Sequence, residues 1–440
     1  MLKTKKRFSL SSFQWMGLGF AGLILVGALL LMLPVSSASG EVTPFTDAFF
    51  TATTSVCVTG LVVQDTGTYW SLFGQSVILI LVQVGGLGVV TVAAFFAMVA
   101  GRKISLAQRS TIQEAVAAPK LGGVMRLTSF VLKTTLFIEL LGFLIMAPTF
   151  ISDFGWLRGI WMALFHSISA FCNAGLDLMG GYVSLINYSA NPFICLTVAC
   201  LAVAGGIGFL TWQDFRIHRF RFRKYRMQSK VILSFTAALI LIPALGFFLF
   251  EFGEKPLGER LLASLFQAVT PRTVGMSTVD VSAMSQSGQL VLVILMLIGG
   301  APGSTAGGMK ITAFAIMLAC AVSVFRKRDS VHFFGRRIAH EAISAAATVL
   351  VLYVSLCLGG AILISAIDGL PIFTCIFETA SAVSTVGLSL GVTPSLSLAS
   401  KWILVILMYI GRVGGLTLLY AAMSRRVSMS RFPLEKITVG

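Results

Sequence analysis

A chain of 440 residues that is 56% hydrophobic and only 11% charged carries more apolar surface than a soluble core of its size can use, so a globular enzyme is excluded and a polytopic membrane protein is expected. The formal charge of +16 is the balance that nucleic-acid binders show. Here the basic residues sit between apolar stretches, where they mark membrane topology and give no ground for a nucleic-acid partner.

At the N-terminus, Lys3, Lys5, Lys6 and Arg7 precede an apolar run from Trp15 to Leu33, and Ser37-Ala38-Ser39 follow it, a pattern close to a secretory signal peptide. The run is longer than a signal core and further spans follow, so it reads as the first transmembrane helix. Six more stretches have spanning length: Phe73 to Ala100, Leu127 to Phe150, Pro192 to Thr211, Val231 to Phe250, Ala342 to Ile367 and Trp402 to Met423. An eighth, Leu290 to Phe325, is broken at its centre by Gly-Gly-Ala-Pro-Gly-Ser-Thr-Ala-Gly-Gly, residues 299–308. With eight spans both termini lie on one side. The N-terminus, the tail and the segments 101–126, 216–230 and 326–337 together hold 25 of the 33 Lys and Arg, which makes that side cytoplasmic. The location expected is the cell membrane, with lipid as the surrounding partner. Seven cysteines without a CxxC pair, mostly in apolar context, are expected to be free thiols.

Between the two spans of each pair lies a shorter stretch with an aromatic residue, Phe50, Phe165, Phe266 or Phe377, that runs into a similar string. The strings are Cys57-Val58-Thr59-Gly60-Leu61, Cys172-Asn173-Ala174-Gly175-Leu176, Arg272-Thr273-Val274-Gly275-Met276 and Ser384-Thr385-Val386-Gly387-Leu388. Glycine clusters follow at similar distances, at Gly85-Gly86-Leu87-Gly88, Gly205-Gly206-Ile207-Gly208, Gly299-Gly300 and Gly411. Recurrence at about 100–115 residues defines four units, 8–100, 127–213, 229–325 and 341–424, with a cytoplasmic tail at 425–440.

Non-helical backbone at membrane depth is tolerated only where it lines water or coordinates something. Four such strings argue for one shared axis, around which the carbonyl ends of short helices and the string carbonyls replace a cation's hydration shell. The predicted filter comprises Val58, Thr59, Gly60, Asn173, Ala174, Gly175, Thr273, Val274, Gly275, Thr385, Val386 and Gly387. Glycine is expected there because alternating backbone requires positive φ. The strings hold no Asp or Glu, so carbonyl coordination of a large monovalent ion is expected in place of a charged ring.

These strings and their spacing resemble the Trk/Ktr/HKT superfamily of potassium transporters, over nearly the whole chain. The length, short N-terminus and broken sixth span are most similar to its KtrB branch, the membrane subunits of bacterial Ktr systems. The resemblance implies an all-α polytopic fold of four helix, pore loop, helix repeats around one pore. It also implies K⁺ uptake, often Na⁺ dependent; a homodimer with one pore per subunit; and a cytosolic ring of nucleotide-binding RCK-type (KtrA-like) subunits. No cofactor beyond the ions K⁺ and Na⁺ is expected in this chain, and the alternative reading is a Na⁺-coupled K⁺ symporter or less selective Na⁺/K⁺ transporter. In plant relatives a serine at the first filter glycine accompanies Na⁺ transport, and Gly60 at that position favours K⁺. The channel signature Thr-Val-Gly-Tyr-Gly is absent beyond Thr-Val-Gly at 273–275 and 385–387.

Residues 299–309 cannot remain helical in lipid and are expected to form a gate under the filter, built from Gly299, Gly300, Gly303, Ser304, Thr305, Gly307 and Gly308. Lys310 at its end either opposes cation passage or snorkels to the surface, and Arg412 is expected to hydrogen-bond the free carbonyls of the loop. Lys133 and Glu139 read as a structural pair or interfacial groups. His166, in line with Thr51, Gln267 and Glu378 of the other units, reads as polar packing behind the filter more readily than as a proton relay. Arg272 either points away from the axis or sits at the outer mouth and repels cations. No His, Cys or Asp cluster has metal-ligand spacing and no Ser/His/Asp grouping converges, so no enzyme is expected.

Overall fold

The computed structural model describes residues 12–100, 106–115 and 123–414; the tail at 425–440 and the end of the last apolar stretch lie outside them. The described chain is helical, and its only strands there are a two-residue hairpin, β1 (His332–Phe333) with β2 (Arg336–Arg337).

Four units follow one another. Each begins with a long helix: α1 (Ser12–Leu31), α6 (Val124–Phe154), α10 (Met227–Gly246) or α14 (His340–Asp368). A short helix comes next: α2 (Phe45–Cys57), α7 (Trp156–Cys172), α11 (Leu257–Val269) or α15 (Ile372–Val383). Three of these short helices start directly after Pro44, Pro256 and Pro371, whose missing N–H costs nothing where no helical bond is yet made. The string then leads to a returning helix. In chain order these are α3 (Leu72–Leu87) with α4 (Val89–Val99), α8 (Pro192–Gly206) with α9 (Phe209–His218), α12 (Gln286–Leu297) with α13 (Ile311–Phe325), and α16 (Leu398–Val413); α5 (Leu106–Ala115) lies between the first two units. All four returning helices open with a side-chain N-cap: Ser71 to the Gly74 amide, Asn191 to Phe193 and Ile194, Ser285 to Gly288, Ser397 to Ser400.

The stretches read as single crossings in the first and second units are in fact bent. α3 and α4 meet at 93° and α8 and α9 at 95°, with Gly88 and Gly208 at φ 87° and 85° at the corners. Gly414 ends α16 in the same conformation, φ 93° and ψ 124°. In the third unit the break is the whole segment between Leu297 and Ile311, as the sequence predicts. Among the described residues, by length and apolarity alone, four helices are able to cross a membrane, or six when each bent pair is taken as one, so the eight-span count also needs α12 with α13 and α16 as crossings. All seven cysteines are unpaired.

Each returning helix packs on the short helix of the next unit: α3 on α7, α8 on α11, α12 on α15, and α16 back on α2. The circle is closed. Its interior is lined by Phe50, Phe165, Phe266 and Phe377, all at most 2% exposed, while Leu136, Leu144, Leu241 and Ile362 on the long helices face outward. Apolar side chains that face outward as well as inward are what a lipid solvent selects.

Candidate functional site

The circle brings the four strings together. Built onto Gly60, a Cβ would lie 2.7 Å from Ala174 O and 2.9 Å from Gly175 Cα; on Gly175 it would lie 2.9 Å from Val274 O and 3.0 Å from Gly275 Cα. On Gly275 it would meet Val386 O, and on Gly387 Thr59 O and Gly60 Cα. The four glycines therefore form one closed ring, each abutting the next string in the same sense. Every string alternates in the same way: φ is 56°, 61°, 68° and 52° at Val58, Asn173, Thr273 and Thr385, and 96°, 68°, 82° and 95° at the glycines. Left-handed backbone at four matched non-glycine positions is a strain that surrounding structure has to hold in place. Val58, Thr59, Asn173, Ala174, Thr273, Val274, Thr385 and Val386 are all essentially inaccessible. The hydroxyls of Thr59 and Thr385 have no hydrogen-bond partner among the described residues, whereas Thr273 pairs with the Asn173 amide at 3.1 Å.

The glycine clusters of the returning helices serve close approach. Gly85, Gly205 and Gly411 lie against Val56 O, Phe171 O and Val383 O, the residue four before the ring glycine in each unit, with no room for a Cβ. Outside the ring lies a vestibule of about 410 Å³ lined by all four glycines and by Asp65, Asp177 and Asp280. These three carboxylates were not singled out in the sequence, although Asp65 and Asp280 both stand five residues after a ring glycine. They do not converge into a metal-holding group among the described residues. Asp65 accepts from the Gly67, Thr68 and Tyr182 amides, each at 2.9 Å. Burial, with the nearby Asp65 charge, pushes the Asp177 carboxyl up to about 6.

On the other side of the ring, residues 298–310 are packed among three units. Ala301 N donates to Gly206 O at 2.9 Å, Gly303 O accepts from Phe209 N at 2.8 Å, Thr305 Oγ1 donates to Phe171 O at 3.0 Å, and Gly308 N donates to Gly411 O at 3.3 Å. Gly307 abuts the Thr385 side chain and Gly308 lies against Ser384, so the segment sits directly under the fourth string. Gly299 N and Met309 O close its neck at 2.8 Å, Gly300 O accepts from Ile311 N at 3.0 Å, and Ser304 Oγ donates to Ala301 O at 2.6 Å. The Arg412 guanidinium donates to Thr305 O of this segment and to Gly85 O and Gly86 O (2.8 Å) at the corner of α3. Lys310 does not snorkel: its ammonium turns back onto Ala306 O at 2.7 Å and Gly307 O at 3.4 Å. Beyond the segment lies a second cavity of about 480 Å³, lined among others by Gly88, Ser304, Lys310 and Arg412.

Three further residues or pairs left with alternatives in the sequence find their places in the structure. Arg272 is absent from the vestibule; it is buried and its guanidinium donates to Thr236 Oγ1 of α10 at 3.3 Å, so the outer-mouth reading falls. Lys133 and Glu139 do not pair: Lys133 is exposed, and Glu139, 5% exposed, accepts from Gln83 Nε2 of α3 at 3.2 Å. They stand six residues apart, which puts them on different helix faces. His166 sits behind the second string, with Nδ1 2.7 Å from Met162 O and Nε2 accepting from the Leu178 amide at 3.4 Å. Glu378 holds the corresponding Leu390 amide at 2.9 Å in the fourth unit.

The sequence profile of the TrkH family, described as cation transport protein, matches residues 19–429. The potassium/sodium uptake protein NtpJ of Enterococcus hirae is 38% identical over all of both chains. The Ktr system potassium uptake protein B of Bacillus subtilis is 36% identical, over 97% of this chain and 96% of its own. The fold resembles the crystal structure of the potassium transporter TrkH from Vibrio parahaemolyticus, with a TM-score of 0.73, 18% identity, and coverage of 96% and 87%.

Proposed function

The chain belongs to the TrkH family of cation transport proteins, and from that premise we propose that it is a multi-pass membrane subunit that takes K⁺ into the cell through a pore along the axis of the glycine ring. The observation that carries this reading is the closed ring of four alternating strings between two cavities. Twisted backbone of this kind exposes carbonyl oxygens to an axis, and carbonyls suit an ion that sheds its water readily. Val58, Thr59, Gly60, Asn173, Ala174, Gly175, Thr273, Val274, Gly275, Thr385, Val386 and Gly387 form the filter in this reading. Asp65, Asp177 and Asp280 enrich cations at its entrance. The segment 299–309 with Lys310 and Arg412 forms the gate beneath it, and control by a cytosolic nucleotide-binding ring is the expected regulation.

A second reading, transport of Na⁺ with or in place of K⁺, is favoured by the name of the Enterococcus hirae relative, a potassium/sodium uptake protein. One experiment addresses both. K⁺ and Na⁺ uptake is measured in cells lacking their own K⁺ uptake systems, with the wild-type chain and with Gly60→Ser. K⁺-dependent growth rescued by the wild type, and a K⁺ to Na⁺ ratio lowered about tenfold by the serine, are expected, because its Cβ meets Ala174 O at 2.7 Å. Absence of K⁺ uptake at normal surface expression overturns the reading, and equal uptake of both ions in the wild type selects the second.

A further inference from the structure

One hydroxyl residue in or directly after each short helix stands at a matched distance from its ring glycine: Thr54, Ser169 and Ser381 inside their helices, six residues before it, and Thr270, the C-cap of α11, five before it, where the third unit is one residue shorter. All four are fully enclosed or nearly so. Their backbone carbonyls all hold the residue preceding the glycine: Thr54 O accepts from Thr59 N at 2.8 Å, Ser169 O from Ala174 N at 2.8 Å, Thr270 O from Val274 N at 3.0 Å, and Ser381 O from Val386 N at 2.8 Å.

The side chains divide into two pairs. Thr54 Oγ1 accepts from the Gly60 amide at 2.9 Å and Ser381 Oγ from the Gly387 amide at 3.0 Å. Ser169 Oγ donates to Leu176 O at 2.6 Å and Thr270 Oγ1 to Met276 O, the carbonyls just after the other two glycines. In the circle the first and fourth units are neighbours, as are the second and third. One half of the ring is therefore held by its amides and the other half by its outer carbonyls.

Resting on the filter reading above, we propose that these four hydroxyls are positioning residues that set the width of the glycine ring, and so the discrimination between K⁺ and Na⁺. Left-handed backbone at the four matched non-glycine positions, Val58, Asn173, Thr273 and Thr385, relaxes unless something opposes it. A buried amide with no acceptor is itself unstable, so loss of the Thr54 or Ser381 hydroxyl drives Gly60 or Gly387 to seek another partner. A ring free to move that way closes around the smaller ion.

The test compares K⁺ and Na⁺ uptake, at equal surface expression, for Thr54→Val, Ser381→Ala, Thr270→Val and Ser169→Ala, with Thr54→Ser and Ser381→Thr as rescues and Thr53→Val as control. Thr53 is equally buried in the same helix as Thr54, but its hydroxyl donates to Phe49 O at 2.7 Å, within that helix. The hydroxyl-deleting variants are expected to lower the K⁺ to Na⁺ ratio about fivefold to tenfold, while the rescues and Thr53→Val keep it. If all four keep the wild-type ratio while Gly60→Ser lowers it, the positioning role is wrong and the filter reading stands. If Gly60→Ser is also silent, the filter reading falls as well. A loss as large in Thr53→Val shows generic packing and overturns the proposal. Should the alanine and valine variants fail to reach the membrane, the K⁺-against-Na⁺ difference in melting temperature of detergent-purified Thr54→Ser and Ser381→Thr decides: retention of the wild-type difference supports the role, and its loss overturns it.

Discussion

Asp177 lies two residues past a ring glycine, in the wall of the cavity that the proposed reading makes the entrance of the pore. Its carboxyl is pushed up to about 6, first by burial and then by the Asp65 charge, against the stabilising Met179 amide. Above that pH it is an anion that attracts K⁺ to the mouth; below it the group is neutral and the attraction is lost. Uptake at sub-saturating K⁺ is thus expected to fall by about twofold to fivefold as the external pH drops from about 7 to about 5, the size of one partly screened charge at this range. Asp177→Asn should show the low uptake at every pH with the pH step removed. A step of full height in that variant would assign the titration to a group other than Asp177. The ring glycines were legible in the sequence because positive φ leaves glycine the least costly choice, and four matched strings repeat it. Asp177 and the hydroxyls of the short helices were not, since a Ser, Thr or Asp near such a string looks the same whether it faces the string or solvent.

At the scale of elements, hydropathy identified the returning stretches but was blind to their direction. A run from Phe73 to Ala100 is equally apolar whether straight or bent, and glycine in membrane helices is too common to announce a 93° corner. The third break was legible because Pro302 and five glycines in ten residues cannot continue a helix. Its partner was legible too, since a guanidinium inside an apolar helix needs acceptors and the broken segment has free carbonyls. Arg412 spans more than was expected, tying the segment of the third unit to the corner of the first through Thr305, Gly85 and Gly86 carbonyls. If the segment obstructs the path, cutting this tie frees it: Arg412→Ala, or deletion of residues 303–306, should raise K⁺ flux severalfold with the K⁺ to Na⁺ ratio little changed. Arg412→Lys separates charge from geometry, because one ammonium cannot serve three carbonyls in two elements as the planar fork does. Flux in the lysine variant close to that of the alanine variant would mark the tie as geometric; wild-type flux in both the alanine and the deletion variants would make the segment a passive break.

At the scale of the whole molecule, the basic segments 216–230 and 326–337 meet in space. Phe222 and Phe334 stack edge-on at 6.3 Å, the Lys230 ammonium lies 5.8 Å from the Phe334 ring, and Arg219, Arg221, Arg223, Lys224, Arg336 and Arg337 around them are exposed. The loop at Glu254 falls at the other end of α10 from this cluster. The positive-inside rule assigns the cluster to the cytoplasm, so an impermeant thiol reagent should label a cysteine placed at Glu254 from outside and one placed at Arg336 only after the membrane is opened. If the proposed cytosolic ring docks by an acidic face, this cluster offers it opposite charge in a solvent-exposed setting, and the association is then sensitive to salt. Mild-detergent purification should therefore recover a dimer carrying a nucleotide-binding ring. The Arg336→Glu/Arg337→Glu double variant should lose the ring at lower salt than the wild type while remaining dimeric, as read by size-exclusion chromatography with light scattering. Retention of the ring by the double variant across the whole salt range would move its docking surface off the hairpin, and labelling of Arg336→Cys from outside would invert the topology on which both expectations depend.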